Sequence, residues 1–319
     1  MRKSRPKLTL LKDKLLAKVL FALLGKRVKV KGERDNTTPF PLPLSPFPDL
    51  CKKSDYRAII PASFFGMILG LAGLGSCWRV AAKLWHLPAW ISEAIMLLTI
   101  VIWLVLLLLY VGKWLWARAD ALAEFEHPVL CCFIGLVPVS TMFVALAIAP
   151  YSHAIAITLF VVGAIGQLSF GVYRSGQLWM GGRKPEIVTP ILYLSTVAGS
   201  FVSAIVASTF GYREWGLLFF GGGLFSWLAL ESMIMQRLYL LEALPKPLRP
   251  TLGIQLAPPA VGCVAYLSIT SGQPDAFAQF LFGYGLLQAL ILLRLLPTGH
   301  SPSALPPYRW HPCVLLNAA

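Results

Sequence analysis

Eight times along the chain, charged residues all but vanish for about twenty positions and apolar residues take every face. The runs cover residues 59–85, 91–116, 128–149, 153–179, 187–209, 214–239, 252–270 and 275–296. A helix that is apolar all round is buried in protein or in lipid, and about 20 such residues cross a bilayer. The connections between runs are short, so neighbouring spans pair as antiparallel hairpins. The pattern predicts an all-α polytopic membrane protein of helical hairpins, with eight spans.

Two segments depart from this pattern. Residues 1–57 form a basic N-terminal arm. Within residues 1–35, Leu8, Leu11, Leu15, Val19 and Leu23 fall on one helical stripe, with Lys7, Lys14 and Lys18 on other faces. That suits an amphipathic helix lying on an anionic membrane surface. Lys12, Asp13, Lys14 and Lys18 interrupt the apolar stretch and no small-residue cleavage site follows, which disfavours a signal peptide. Pro39, Pro41, Pro43, Pro46 and Pro48 then predict an extended polyproline-type linker. At the other end, residues 298–319 have no span-length apolar run and carry four prolines, and read as a tail.

A second periodicity runs over spans. Pro61, Pro138, Pro190, Pro258 and Pro259 fall in the first, third, fifth and seventh spans, and the even spans have none inside. Proline removes a backbone hydrogen bond, and the freed carbonyl needs a neighbour or a wet cavity that lipid does not supply. The odd spans are therefore expected to be inner and bent at Pro138, Pro190 and Pro258, and the even spans outer and straight.

Composition agrees. The chain of 319 residues is 57% hydrophobic and only 13% charged, half the charge of a soluble domain. Of its 28 Lys and Arg, 15 lie in residues 1–57 with 5 Asp and Glu, so that segment holds +10 of the net +14. Lys113, Arg118, Arg174, Arg183, Lys184, Arg237, Lys246 and Arg249 flank one set of span ends, and Arg79, Lys83 and Arg213 the other. Together with the arm, this bias puts the N-terminus in the cytoplasm. Basic residues that flank spans explain the charge without a nucleic acid partner.

Few residues can carry chemistry. Cys51, Cys77, Cys131, Cys132, Cys263 and Cys313 have no metal-binding spacing, and none of the five histidines is mid-span to ligate a haem. No nucleotide motif or nucleophile–base grouping is present. An enzyme is not expected, nor a cofactor or a metal. Glu231 is the one ionisable residue well inside a span. Such a residue is by default a functional candidate, here for proton coupling. Its position on an even, outer helix favours a structural carboxylate bonded to a neighbouring helix. Small and hydroxyl residues gather on the odd spans: Gly66, Gly70, Ser140, Thr141, Thr196, Gly199 and Gly262 are the expected pore-lining set, with Ser195, Ser200 and Gly253 close by. Small residues also let helices approach closely. Their concentration on bent helices favours a pore of backbone and hydroxyl dipoles that passes an anion without holding it.

The stretches IPASFFGMILGLAGLGSCWR, EHPVLCCFIGLVPVSTM, TPILYLSTVAGSFVSA, GYREWGLLFFGGGLFSWLALES and LGIQLAPPAVGCVAYLSI, in that order, resemble the tellurite-resistance/dicarboxylate transporter family, which includes the plant slow anion channels. The resemblance runs from about Pro61 to Pro297. It implies ten helices as five hairpins around a pore, a homotrimer in the inner membrane, and passage of small anions such as tellurite and dicarboxylates, or export of toxic compounds. It also implies an aromatic plug on the ninth helix, packed near Gly66. Three departures stand out. Ser195 and Ser232 replace family prolines, and nothing after Pro297 matches the ninth and tenth helices. The alternatives are a proton-coupled exporter of dyes or dicarboxylates using Glu231, and a truncated, non-conducting remnant.

Overall fold

The computed structural model describes residues 60–181, 188–244, 246–270 and 272–295. The expected amphipathic arm, the polyproline linker and the tail at 298–319 lie outside the described residues. Among the described residues, eight helices are long and apolar enough to cross a membrane: Ala62–Trp85, Ala89–Trp116, Leu130–Ile148, His153–Trp179, Pro190–Thr209, Arg213–Leu240, Leu248–Ile269 and Ala276–Leu295. Each falls within four residues of its expected limits.

The odd and even spans differ in backbone. The even spans are uninterrupted α-helices of 28, 27, 28 and 20 residues. Every odd span opens as a 3-10 helix and turns α within the span. Ala62–Phe65 leads into Gly66–Trp85, and Leu130–Gly135 into Leu136–Ile148. Pro190–Leu194 leads through Ser195 and Thr196 into Val197–Thr209, and Lys246–Leu256 into Ala257–Ile269. Prolines stand where the change is made. Pro61 and Pro190 start a 3-10 segment, while Pro138, Pro258 and Pro259 lie in the first turn of the following α-helix. There a missing N–H costs little, since first-turn amides have no partner within an α-helix. In the fifth span the change is a true interruption, with Thr196 at φ −130°, ψ −49°. Runs of 3-10 helix beyond three or four residues are uncommon because their hydrogen bonds are poorer. Three of the four here, of 6, 5 and 11 residues, exceed that length and need support from their neighbours.

The hairpins stand side by side in an arc: the first span packs on the third, the third on the fifth and the fifth on the seventh. The third and fifth spans are inner, with 61% and 72% of their most apolar stretch buried, against 22–28% for the even spans. The first and seventh, at 22% and 33%, are less enclosed than the proline pattern implied. They stand at the two ends of the arc, and each has an odd-span neighbour on one side only among the described residues.

A cation lies within the last two turns of each even span: Lys113, Arg174, Arg237 and Arg294. A cation there complements the partial negative charge of a helix C-terminus. The sequence pattern missed one element, a short helix at Arg118–Glu126 between the second and third spans.

Candidate functional site

The four 3-10 segments touch in order, first to third, third to fifth and fifth to seventh. Individual residues locate the contacts at the 3-10/α junctions themselves. A Cβ added to Gly66 would lie 3.9 Å from Leu136 Cδ1, so the first junction abuts the third. A Cβ on Gly135 would meet the Leu194 carbonyl oxygen at 2.8 Å, so the third junction presses on the backbone of the fifth. Gln255 Nε2, on the residue before Leu256 at the seventh junction, donates to the Tyr193 hydroxyl at 3.1 Å. The junctions thus form a belt across the arc at one depth. An added side chain at Gly135 would push two backbones apart, which is why glycine is required there.

The carbonyls loosened at the fifth junction find partners. Gln167 of the fourth span donates through Nε2 to the Ser195 oxygen at 3.1 Å, in a buried site. The Ser195 hydroxyl turns back onto the Leu192 oxygen at 2.7 Å. An unsatisfied carbonyl in hydrocarbon is costly, so these bonds permit the interruption.

The expected pore-lining residues fall into different surroundings. Gly66 sits at the first junction, half-buried, while Gly70 is exposed with open space around its Cα. Ser140 and Thr141 are buried, and both donate to the Val137 carbonyl oxygen at 2.8 and 2.9 Å. Thr196 lines a cavity of about 370 Å³ between the fourth and sixth spans. Gly199 is covered by the Gln167 side chain, and a Cβ on Gly262 would meet the Phe201 ring at 3.2 Å. Pro138 packs on the fourth span, where a Cβ on Gly163 would meet its carbonyl oxygen at 3.0 Å. Pro258 is buried at its junction, whereas Pro190 is buried at the start of its 3-10 segment, five residues before Ser195.

Glu231 lies at the centre of a polar cluster that ties four spans together. Its Oε2 accepts from the Tyr193 hydroxyl and from Trp227 Nε1 at 2.9 Å. Its Oε1 accepts from the Tyr284 hydroxyl, from Gln255 Nε2 at 3.0 Å and from Gln288 Nε2 at 3.4 Å. Five donors from the fifth to eighth spans saturate both oxygens. A carboxylate so held cross-links these spans beside the fifth and seventh junctions. Tyr193, Gln255, Tyr284 and Gln288 were not singled out from the sequence. The available signal was their polarity within apolar runs.

Three further polar contacts brace the ends of the belt helices. Glu124, on the short helix, accepts from the Ala62 amide at 2.7 Å and pairs with Lys113 Nζ at 2.5 Å, with both side chains buried. It therefore caps the first span and neutralises the second. At the opposite end of the first span, Arg79 forks onto Glu93 at 3.0 and 3.1 Å and also donates to the Leu146 carbonyl oxygen at 3.2 Å. At the entry to the third span, His127 Nδ1 accepts from the Val129 and Leu130 amides at 3.2 and 3.1 Å. Burial holds its pKa below the ordinary 6.5, which favours the neutral ring that this cap requires.

Comparison with known proteins agrees with this architecture. A family model described as SLAC1, voltage-dependent anion channel, matches residues 60–311. The match extends past Pro297, where the motif resemblance read from the sequence ends. A tellurite resistance protein TehA homolog of Haemophilus influenzae is 37% identical over 239 residues, covering 75% of this chain and 73% of the relative. The S-type anion channel SLAH3 of Arabidopsis thaliana is 29% identical over 232 residues, 69% of this chain and 36% of the channel. The guard cell S-type anion channel SLAC1 of the same plant is 29% identical over 247 residues, 73% of this chain and 44% of the channel. The chain thus spans less than half the length of these two plant channels.

Proposed function

Because the chain belongs to the voltage-dependent anion channel family, we propose that it is a membrane channel or permease that lets small anions cross by electrodiffusion along the concave face of the arc. The observation that carries this is the belt of four 3-10/α junctions in mutual contact. Helix ends in mid-membrane present backbone dipoles where continuous helices present only side chains, and such irregular backbone is stable only against protein or a water-filled cavity. The residues at the junctions themselves, Gly66, Gly135, Ser195, Thr196 and Leu256, carry no charge, so an anion there meets dipoles and hydroxyls that solvate it weakly. Weak binding at successive positions is what conduction needs. Tellurite and small dicarboxylates are the proposed substrates. The reading includes no catalysis, a homotrimer, and an inner-membrane location with the N-terminus cytoplasmic. The positive-inside bias supports that orientation, and the cations at the even-span ends would then raise the local anion concentration on the cytoplasmic face.

The test is reconstitution of the full chain in planar bilayers under an asymmetric chloride gradient. A reversal potential that tracks the anion gradient supports the proposal. Currents no larger than those of protein-free bilayers, from folded and inserted protein, overturn it. Neither a proton-coupled exporter nor a non-conducting remnant gains support from the relatives. Flux that requires a pH gradient and loses that requirement in Glu231→Gln would favour the exporter.

A further inference from the structure

A groove opens between the fourth and sixth spans, and Thr196, one of the residues expected in the pore, lines it. Two cavities, of about 370 and 760 Å³, share Ser175, Trp179, Thr196 and Ser226 and so form one groove between the fourth and sixth spans, floored by the fifth. Along the sixth span it is lined by Phe219, Gly222, Ser226, Met233 and Arg237, one face of the helix. At 1.5 Å per residue, the stretch from Phe219 to Arg237 is about 27 Å long, and half the hydrocarbon core of a bilayer is about 15 Å.

The groove is polar at one end. Arg237 is only 6% exposed. Its Nη1 donates to the Glu242 carbonyl oxygen at 2.8 Å, and its Nε is buried without a partner. Among the described residues no carboxylate lies within ion-pair reach of it. A nearly buried guanidinium with only a carbonyl to balance it calls for an anion. Its depth is also informative. Arg237 is in the last turn of its span, near the level of Trp179 and Tyr239, which are 89% and 79% exposed. Exposed Trp and Tyr at span ends mark the membrane–water interface. The cation therefore sits at headgroup level, and the apolar part of the groove runs from it towards the bilayer centre.

We propose that this groove binds an anionic phospholipid, with the phosphate at Arg237 and one acyl chain lying along the sixth span over Thr196. Charge complementarity at one end and apolar length at the other match that amphiphile. A second copy of the chain would have to supply a carboxylate at the same depth. A free phosphate would gain nothing from the apolar walls. A chain lying over Thr196 would also brace the interruption of the fifth span from outside.

The full-length protein, delipidated in a non-ionic detergent, would be titrated with phosphatidylglycerol or phosphatidylcholine. Bound lipid would be counted by native mass spectrometry and thermal unfolding followed in parallel. Phosphatidylglycerol should bind and raise the Tm, with a preference over phosphatidylcholine of roughly five- to tenfold, the range expected for one Arg at an anionic headgroup. Arg237→Gln should abolish the preference and Arg237→Lys should keep most of it. Ala229→Trp, an exposed groove position that makes no hydrogen bond through its side chain, should block both lipids without unfolding the protein. Equal binding of the two lipids, or a preference that survives Arg237→Gln, overturns the proposal. So does stabilisation by inorganic phosphate equal to that by phosphatidylglycerol. Disulfide crosslinking of Met233→Cys between copies in lipid-free oligomers would assign the groove to a second copy instead.

Discussion

Replacing Glu231 by Gln separates a fastening role from a coupling role. The carboxylate accepts five hydrogen bonds, from Tyr193, Trp227, Gln255, Tyr284 and Gln288. Gln keeps the volume but offers one oxygen. If the amide oxygen takes the Oε1 position, its NH₂ group faces Tyr193 and Trp227. The tyrosine hydroxyl can rotate to accept, but an indole N–H can only donate. Trp227 is 4% exposed, so its N–H is left buried without a partner, at about 1–3 kcal/mol. The remaining bonds lose their charge assistance, about 1 kcal/mol each, most of which is offset because a neutral amide costs less to bury than a carboxylate, leaving about 1 kcal/mol net. The expected loss is about 2–4 kcal/mol, or roughly 5–15 °C in Tm at about 2–4 °C per kcal/mol for a chain of this size. The assay is thermal unfolding in detergent, paired with anion flux per folded molecule with and without a pH gradient. Glu231→Ala should be worse, since it strands the Tyr193, Trp227 and Tyr284 donors together, while Gln255 and Gln288 keep their bonds to the two tyrosine hydroxyls. The reasoning fails if Glu231→Gln melts with the unaltered protein. It also fails if its only effect is on the dependence of flux on a pH gradient.

Glu124→Ala should destabilise by about 3–5 kcal/mol, because it leaves Lys113 buried and unpaired and uncaps the Ala62 amide. The double variant Glu124→Leu/Lys113→Met should recover most of that in the same melting assay. Gly135→Ala would force a Cβ against the Leu194 oxygen, so a loss of about 1–3 kcal/mol from overpacking and a reduced unitary conductance are expected in bilayer recordings. For His127 the folded pKa lies below 6.5, so the folded state binds that proton less readily than the unfolded chain. Its contribution is fully present above about pH 6.5 and is lost progressively as the pH falls below it. Melting temperatures between pH 7.5 and 5.5 should fall for the unaltered protein and fall less for His127→Asn, which can still accept at the helix entry.

The sequence by itself determined the number, limits and alternation of the spans. Span limits follow from the length of apolar run that a bilayer requires, a constraint local to each segment. The proline positions marked the odd spans as irregular because proline acts on its own backbone. Glu231 was visible for the same reason, as a lone charge in an apolar run.

What Glu231 touches was decided only by tertiary structure, since Tyr193 and Tyr284 come from spans before and after it. The short helix at Arg118–Glu126 is nine residues long and carries four charges, so the span pattern passes over it, and its value lies in placing Glu124 beside Lys113 and Ala62. No window of sequence contains that arrangement. Glycine has two uses, and the sequence could not tell them apart: Gly70 faces open space, while Gly199 and Gly262 are seats for Gln167 and Phe201. Nor could it say that the first and seventh spans stand at the ends of an arc. Each backbone's tendency to break is written locally. Which breaks meet, and which partner supports each one, depends on side chains brought together from distant spans.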